Sequence, residues 1–278
     1  MKINVFKFGP VSDDFVNDVL ETISNTLTKA GDPDIYIEVL LFDKLDVLKS
    51  FREQEYTKVG VEVGDLFFAM HDAWMGYPRI LICYELSKSL PKLAFIGGVR
   101  HEVGHAILHG SLEYYVFSPT EKLLNLANKY MLTKDFTNRI VYLTSIAVKD
   151  YEVTNYLINK GFLECQYNFI KEILKVSEDE IEAWNLSWNN YMKINHILTI
   201  FKVYATAKPI LNIDIYKREI GSLIAESLKY LPNNFREIII ALMDKLESLK
   251  GDTRSKVWNM IDIICDTLID PILSKKIS

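Results

Sequence analysis

The sequence predicts an α+β fold in two parts, an N-terminal half that mixes strands with helices and a C-terminal half that is all helical. Three observations predict it. Stretches of period-two or β-branched and aromatic character, Lys2 to Phe8, Asp34 to Phe42 and Arg79 to Tyr84, alternate with helical stretches over the first hundred residues. From about Glu121 onward helical spacing dominates. The breaks between stretches carry turn chemistry: Gly9-Pro10, Gly31-Asp32-Pro33 and Met75-Gly76-Tyr77-Pro78, then Pro209, Pro232 and Gly251 in the helical half.

Taken in order, Lys2 to Phe8 alternates polar and apolar residues and stops at Gly9-Pro10, as a strand closed by a turn does. Ser12 offers an N-cap, with Asp13 and Asp14 at the positive end of a helix reaching about Ala30. Asp34 to Phe42 is a second strand, followed by a short polar helix from about Asp43 to Gln54. Val59 to Trp74 contains a third strand and Arg79 to Tyr84 is the fourth. Pro91 can open the next helix, which stops near Gly110. Helices are then expected over Leu123 to Leu132, Phe136 to Asn159, Tyr167 to Val176 and Asp179 to Thr206. Two or three more run on to Ile272. One boundary is expected, giving domains over 1–165 and 166–278.

Composition narrows the class of function. With 49% hydrophobic and 25% charged residues, the 278-residue chain is globular in type and large enough for an ample core. A net charge of −5 and the lack of any dense Lys/Arg run argue against nucleic acid or an anionic membrane as the main partner. Cys83, Cys165 and Cys265 lie far apart without CxxC spacing, which reads as buried free thiols in a reducing compartment. No apolar run reaches transmembrane length, and the N-terminus lacks a signal-peptide core; the expectation is a cytoplasmic, soluble protein.

The segment that carries chemistry is His101-Glu102-Val103-Gly104-His105 within Arg100 to Gly110, an HExxH pattern. In a chain with 5 histidines the pattern arises by chance on the order of once in a hundred such chains. Residues four apart on a helix differ by about 40° around the axis and about 6 Å along it, so both imidazoles face one point. Two imidazoles so placed chelate one Zn²⁺, and the Glu102 carboxylate stands within reach of a water activated there.

A catalytic zinc needs a third protein ligand and an open position. Position 111 is Ser111, so HExxHxxGxxH is absent and the third ligand comes from elsewhere. The mostly apolar helix around Ala147 to Leu157 carries Asp150 and Glu152, acids that are costly to bury unless a cation pairs with them. They are two apart, hence about 200° around the helix, so only one faces the metal. Glu152 is the preferred ligand and Asp150 the alternative.

HEVGHAILHG followed by a helix with an acid-x-Glu core resembles the gluzincin branch of the zincin metallopeptidases, most closely ImmA/IrrE-like enzymes and minimal gluzincins. The resemblance covers roughly residues 60 to 160. It implies a zincin-like N-terminal part, a small mixed sheet plus active-site helix, with zinc on His101, His105 and Glu152 and with Glu102 as general base. It also implies that Asp72-Ala73-Trp74 lie on an edge strand that pairs with a peptide or protein substrate.

Other residues are weighed on their surroundings. His109, one turn beyond His105, is read as structural, Arg100 as a salt-bridging surface residue and His196 as packed among aromatics. Tyr151, Tyr156, Tyr191 and His196 are the candidate oxyanion donors, and His71 stands near the expected edge strand. The functional expectation is a zinc-dependent peptidase. The alternative is a zinc-stabilised regulatory protein without catalysis, whose helical half binds a partner.

Overall fold

The computed structural model describes residues 2–59 and 67–274. The expected order of strand, helix, strand, helix, two strands and helix is found: β1 (Lys2–Phe8), α1 (Asp13–Ala30), β2 (Tyr36–Phe42), α2 (Leu45–Val59), β3 (Ala69–Asp72) and β4 (Arg79–Cys83). The one-turn α3 (Tyr84–Ser87) then precedes α4 (Lys92–His109). Part of the expected Val59 to Trp74 stretch lies outside the described residues. What is described as strand ends at Asp72, so Ala73 and Trp74 belong to the turn before β4.

The helical stretch comprises α5 (Glu121–Tyr130), α6 (Lys134–Asn159), α7 (Leu163–Ile173), α8 (Glu178–Asn185), α9 (Asn190–Ala207), α10 (Asp214–Ser227), α11 (Asn233–Ser248), α12 (Thr253–Ile264) and α13 (Asp270–Leu273). The single helix expected over Asp179 to Thr206 is two. Asn189 in extended conformation caps the amide of Met192, and that cap starts a new helix where helical periodicity alone reads straight through.

The chain forms two compact units, and each is discontinuous in sequence: Met1–Val116 with Tyr156–Glu172, and Phe117–Asn155 with Ile173–Ser278. The sequence expectation of one boundary near residue 165 differs from this arrangement of two units in four segments with three boundaries. The long α6 is the reason, because it leaves one unit and ends in the other, at Asn155 and Tyr156.

In the first unit the four strands form one mixed sheet in the order β1-β2-β4-β3. β1, β2 and β4 are parallel, and β3 runs antiparallel to β4 along the edge. Alternation along the strands separates two faces. Leu40, Phe42, Leu81 and Cys83 form one apolar cluster with Leu48, Phe51 and Leu86 from the helices after β2 and β4. Registers Val39 to Ile80, Ile82 to Ala69 and Ile80 to His71 put those residues on the opposite face, where α4 packs on β3 and β4 and α1 packs on α4.

α1 has the expected ends. The Ser12 hydroxyl accepts from the Phe15 amide, and Gly31, at φ +100°, returns its amide to Leu27 and Thr28. Cys83, Cys165 and Cys265 are buried and unbridged, as expected. Among the described residues no helix is long and apolar enough to cross a membrane.

In the second unit α9, α11 and α12 bury Ile197, Phe201, Ile239, Leu242 and Ile261. Its helix ends are tied by hydrogen bonds: Thr120 caps α5 and donates to Asp262 at 2.6 Å, while Lys129 and Tyr130 both donate to Asp270.

The edge strand is fixed by one charged group. Arg79 on β4 donates to both oxygens of its register partner Asp72, at 2.8 and 3.0 Å, and to Glu55 of α2 at 2.7 Å. Asp72 is 1% and Arg79 4% exposed, so removing either strands a buried charge. Asp72→Ala is expected to destabilise the sheet unit by about 3–5 kcal/mol, read as a lower denaturant midpoint for its transition.

Candidate metal centre

α4 is buried around most of its circumference. Ala94, Phe95, Val99, Val103 and Ala106 supply apolar contacts, and the motif residues share the burial. Two glycines let the helix approach its neighbours. A Cβ on Gly97 would fall on the carbonyl oxygen of Cys165 and 2.7 Å from Phe169 Cβ, and one on Gly98 would fall 2.5 Å from the Phe68 ring. Gln166 of α7 uses this proximity, donating from Nε2 to the Gly97 carbonyl at 2.8 Å.

Arg100 does not have the surface salt-bridging role expected of it. It is half-buried, donating to Asn25 of α1 at 3.0 Å and to Cys165 Sγ of α7 at 3.1 Å, with its guanidinium over the Phe162 ring. A planar cation on an aromatic face holds α4 in rotation about its own axis.

That seating presents the motif. His101, Glu102, His105 and His109 are 4%, 9%, 9% and 1% exposed. His101 Nε2 and His105 Nε2 face each other at 3.2 Å. Two nitrogens held about 2.0–2.1 Å from one tetrahedral zinc stand roughly 3.3 Å apart, so the pair already has the spacing of one edge of such a site. The His101 ring also leans on Phe169 of α7, centroids 5.3 Å apart.

His105 is held on two further sides. Its Nδ1 lies 3.3 Å from His109 Nδ1, and the His71 ring of β3 stacks on it at 5.8 Å and 13° between planes. His71 Nδ1 meets the Tyr115 hydroxyl at 2.5 Å, and Tyr115 packs edge-on against Trp74 at 4.9 Å. The edge strand therefore brings His71 to a motif histidine. Tyr115 was not singled out by the sequence: it follows the motif helix in an irregular stretch, and no period or motif marks it.

On α6 the two acids diverge as the 200° separation requires. The structure departs here from the preference for Glu152. Its carboxylate takes a 2.6 Å ion pair from Lys256 Nζ and a 2.8 Å hydrogen bond from Thr253 Oγ1, both of α12. Asp150 points elsewhere, with Thr206 Oγ1 of α9 3.5 Å from its Oδ2. Between them in sequence lies Tyr151, whose phenol pKa is raised by burial, and before them the buried Lys149, whose ammonium pKa burial pushes down to about 8.

Two of the oxyanion candidates, Tyr191 and His196, have hydrogen-bond partners of their own. Tyr191 donates to the Tyr130 carbonyl at 3.3 Å. His196 is packed as expected, with its Nε2 3.1 Å from the Tyr230 hydroxyl and its ring against Trp184.

No family model matches the chain, and neither the curated proteins nor the solved structures compared with it give a match.

The glycine contacts make the position of α4 testable. Gly97→Ala forces α4 away from α7 and is expected to cost about 1–3 kcal/mol of stability by overpacking, measured by denaturant unfolding. An unchanged midpoint would show that α7 yields without cost.

Proposed function

We propose that the chain is a zinc-dependent hydrolase that cleaves peptide bonds, with His101 and His105 as ligands, an acid of α6 as the third ligand and Glu102 as general base. The observation that carries this reading is the 3.2 Å separation of His101 Nε2 and His105 Nε2 on a buried helix face. In a dry site two imidazole nitrogens keep that spacing by sharing one proton or one cation, and the chelating HExxH order favours the cation.

Of the two acids of α6, Asp150 is the preferred third ligand. Glu152 is engaged by Lys256 and Thr253 of α12, which leaves Asp150 as the acid of α6 available to a cation. Two imidazoles and one carboxylate form a borderline donor set that suits zinc and leaves room for water.

A divalent ion bound there supplies Lewis acidity, lowering the pKa of a water and polarising a carbonyl. Glu102, buried beside the two ligands in sequence, takes a proton from the attacking water. It then returns the proton to the departing amine, so that water and amide become carboxylic acid and amine. The peptide as substrate rests on the resemblance to gluzincins, whose small mixed sheet and motif helix this chain's α+β unit parallels.

Elemental analysis of chelator-free protein is expected to find about one zinc per chain, lost in His105→Ala. Glu102→Gln should keep the metal and lose about 10²–10⁴-fold in turnover of a peptide substrate. Asp150→Ala should weaken zinc binding by more than the roughly 10–100-fold cost of an outer partner, while Glu152→Ala leaves it unchanged. Equal zinc affinity in Asp150→Ala and the parent chain would return the third ligand to another residue.

A further inference from the structure

The three histidines of α4 recur at i, i+4 and i+8, and only the first two are used by the HExxH pattern. The third is the most deeply buried of them. Its Nδ1 faces the Nδ1 of His105, while the other nitrogen of His105 faces His101. His105 is thus divided between two neighbours, one on each ring nitrogen.

We propose that His109 is a positioning residue of this metal centre, fixing which nitrogen of His105 is available to the metal. The inference rests on the metal reading above. A neutral imidazole has one donor and one acceptor nitrogen. If the Nε2 lone pair of His105 is directed at the ion, its proton is on Nδ1 and must be donated. The atom 3.3 Å away is His109 Nδ1, which accepts only when the proton of His109 is on Nε2. While the proton of His109 is on Nε2, the opposite tautomer of His105 would set two lone pairs against each other at that distance.

Metal-bound histidines usually donate their second N–H to a carboxylate, a carbonyl or water. Here the acceptor is an imidazole carried on the same helix, so ligand and support are placed by one element. The parallel His71 ring limits rotation of His105 about χ2, and the hydrogen bond to His109 then selects between the two remaining ring orientations.

The test combines tautomer and affinity measurements on the full chain. Two-bond ¹⁵N–¹H correlation spectra of the unmodified zinc-loaded protein should show His105 protonated at Nδ1 and His109 at Nε2. In a chelator competition, His109→Phe is expected to weaken zinc binding about 10–100-fold. His109→Asn, whose Oδ1 stands close to the place of Nδ1 and accepts the same proton, should restore most of that loss.

A zinc-loaded spectrum with His105 bound through Nδ1, or with the His109 proton on Nδ1, overturns the proposal whether or not the variants fold. So does a folded His109→Phe that binds zinc as tightly as the parent chain. If the parent chain itself takes up no zinc, the metal reading fails and this inference with it. A zinc-binding parent matched by His109→Phe sinks the inference alone.

Discussion

A helix with almost no solvent-facing side imposes the strictest condition on this molecule. α4 carries His101, Glu102, His105 and His109 into an interior built from aliphatic and aromatic side chains. Polar groups placed there cost several kcal/mol each unless they find partners. The imidazoles meet the condition by facing one another, 3.2 Å apart in one pair and 3.3 Å in the next. The same dryness that makes such a row expensive strengthens every electrostatic interaction within it, which is the environment in which a bound cation and a carboxylate base act with greatest effect.

Two devices hold the surroundings of that helix to the required tolerance. One is steric: bare backbone at Gly97 and Gly98 lets α7 and Phe68 lie where a methyl group would not fit. The other is electrostatic: the Arg79 fork grips Asp72, and with it the edge strand that carries His71. His71 and Asp72 are neighbours whose side chains leave opposite faces of β3, so an ion pair on one face sets the stacking of an imidazole on the other.

Much of this was legible in the sequence because it rests on local rules. The strand–helix order, the Ser12 cap, the turn at Gly31 and the extent of α4 follow from periodicity and capping chemistry, and the HExxH spacing alone places two imidazoles together. What was not legible depends on distant partners. The engagement of Glu152 comes from Lys256 and Thr253, about a hundred positions away, which no local rule connects to it. Arg100 looked like a surface residue because its partners, Asn25, Cys165 and Phe162, are likewise remote. The break in the helix expected over Asp179 to Thr206 was a nearer miss, since Asn189 is a strong cap former set in a stretch whose apolar spacing hides it.

The discontinuity of the first unit has a bearing on how the chain comes to be made. α4 emerges from the ribosome well before the helix that covers its glycine face, with Cys165 65 residues behind Arg100 and Gln166 69 behind Gly97. At translation rates of about 5–20 residues per second, that delay is roughly 3–14 s, long compared with the collapse of a small chain. During it the buried histidine row has its sheet but not α7, and Gly97 faces whatever the nascent chain offers. Insertion of the helical stretch between α4 and α7 thus makes closure of the first unit a late event in biosynthesis.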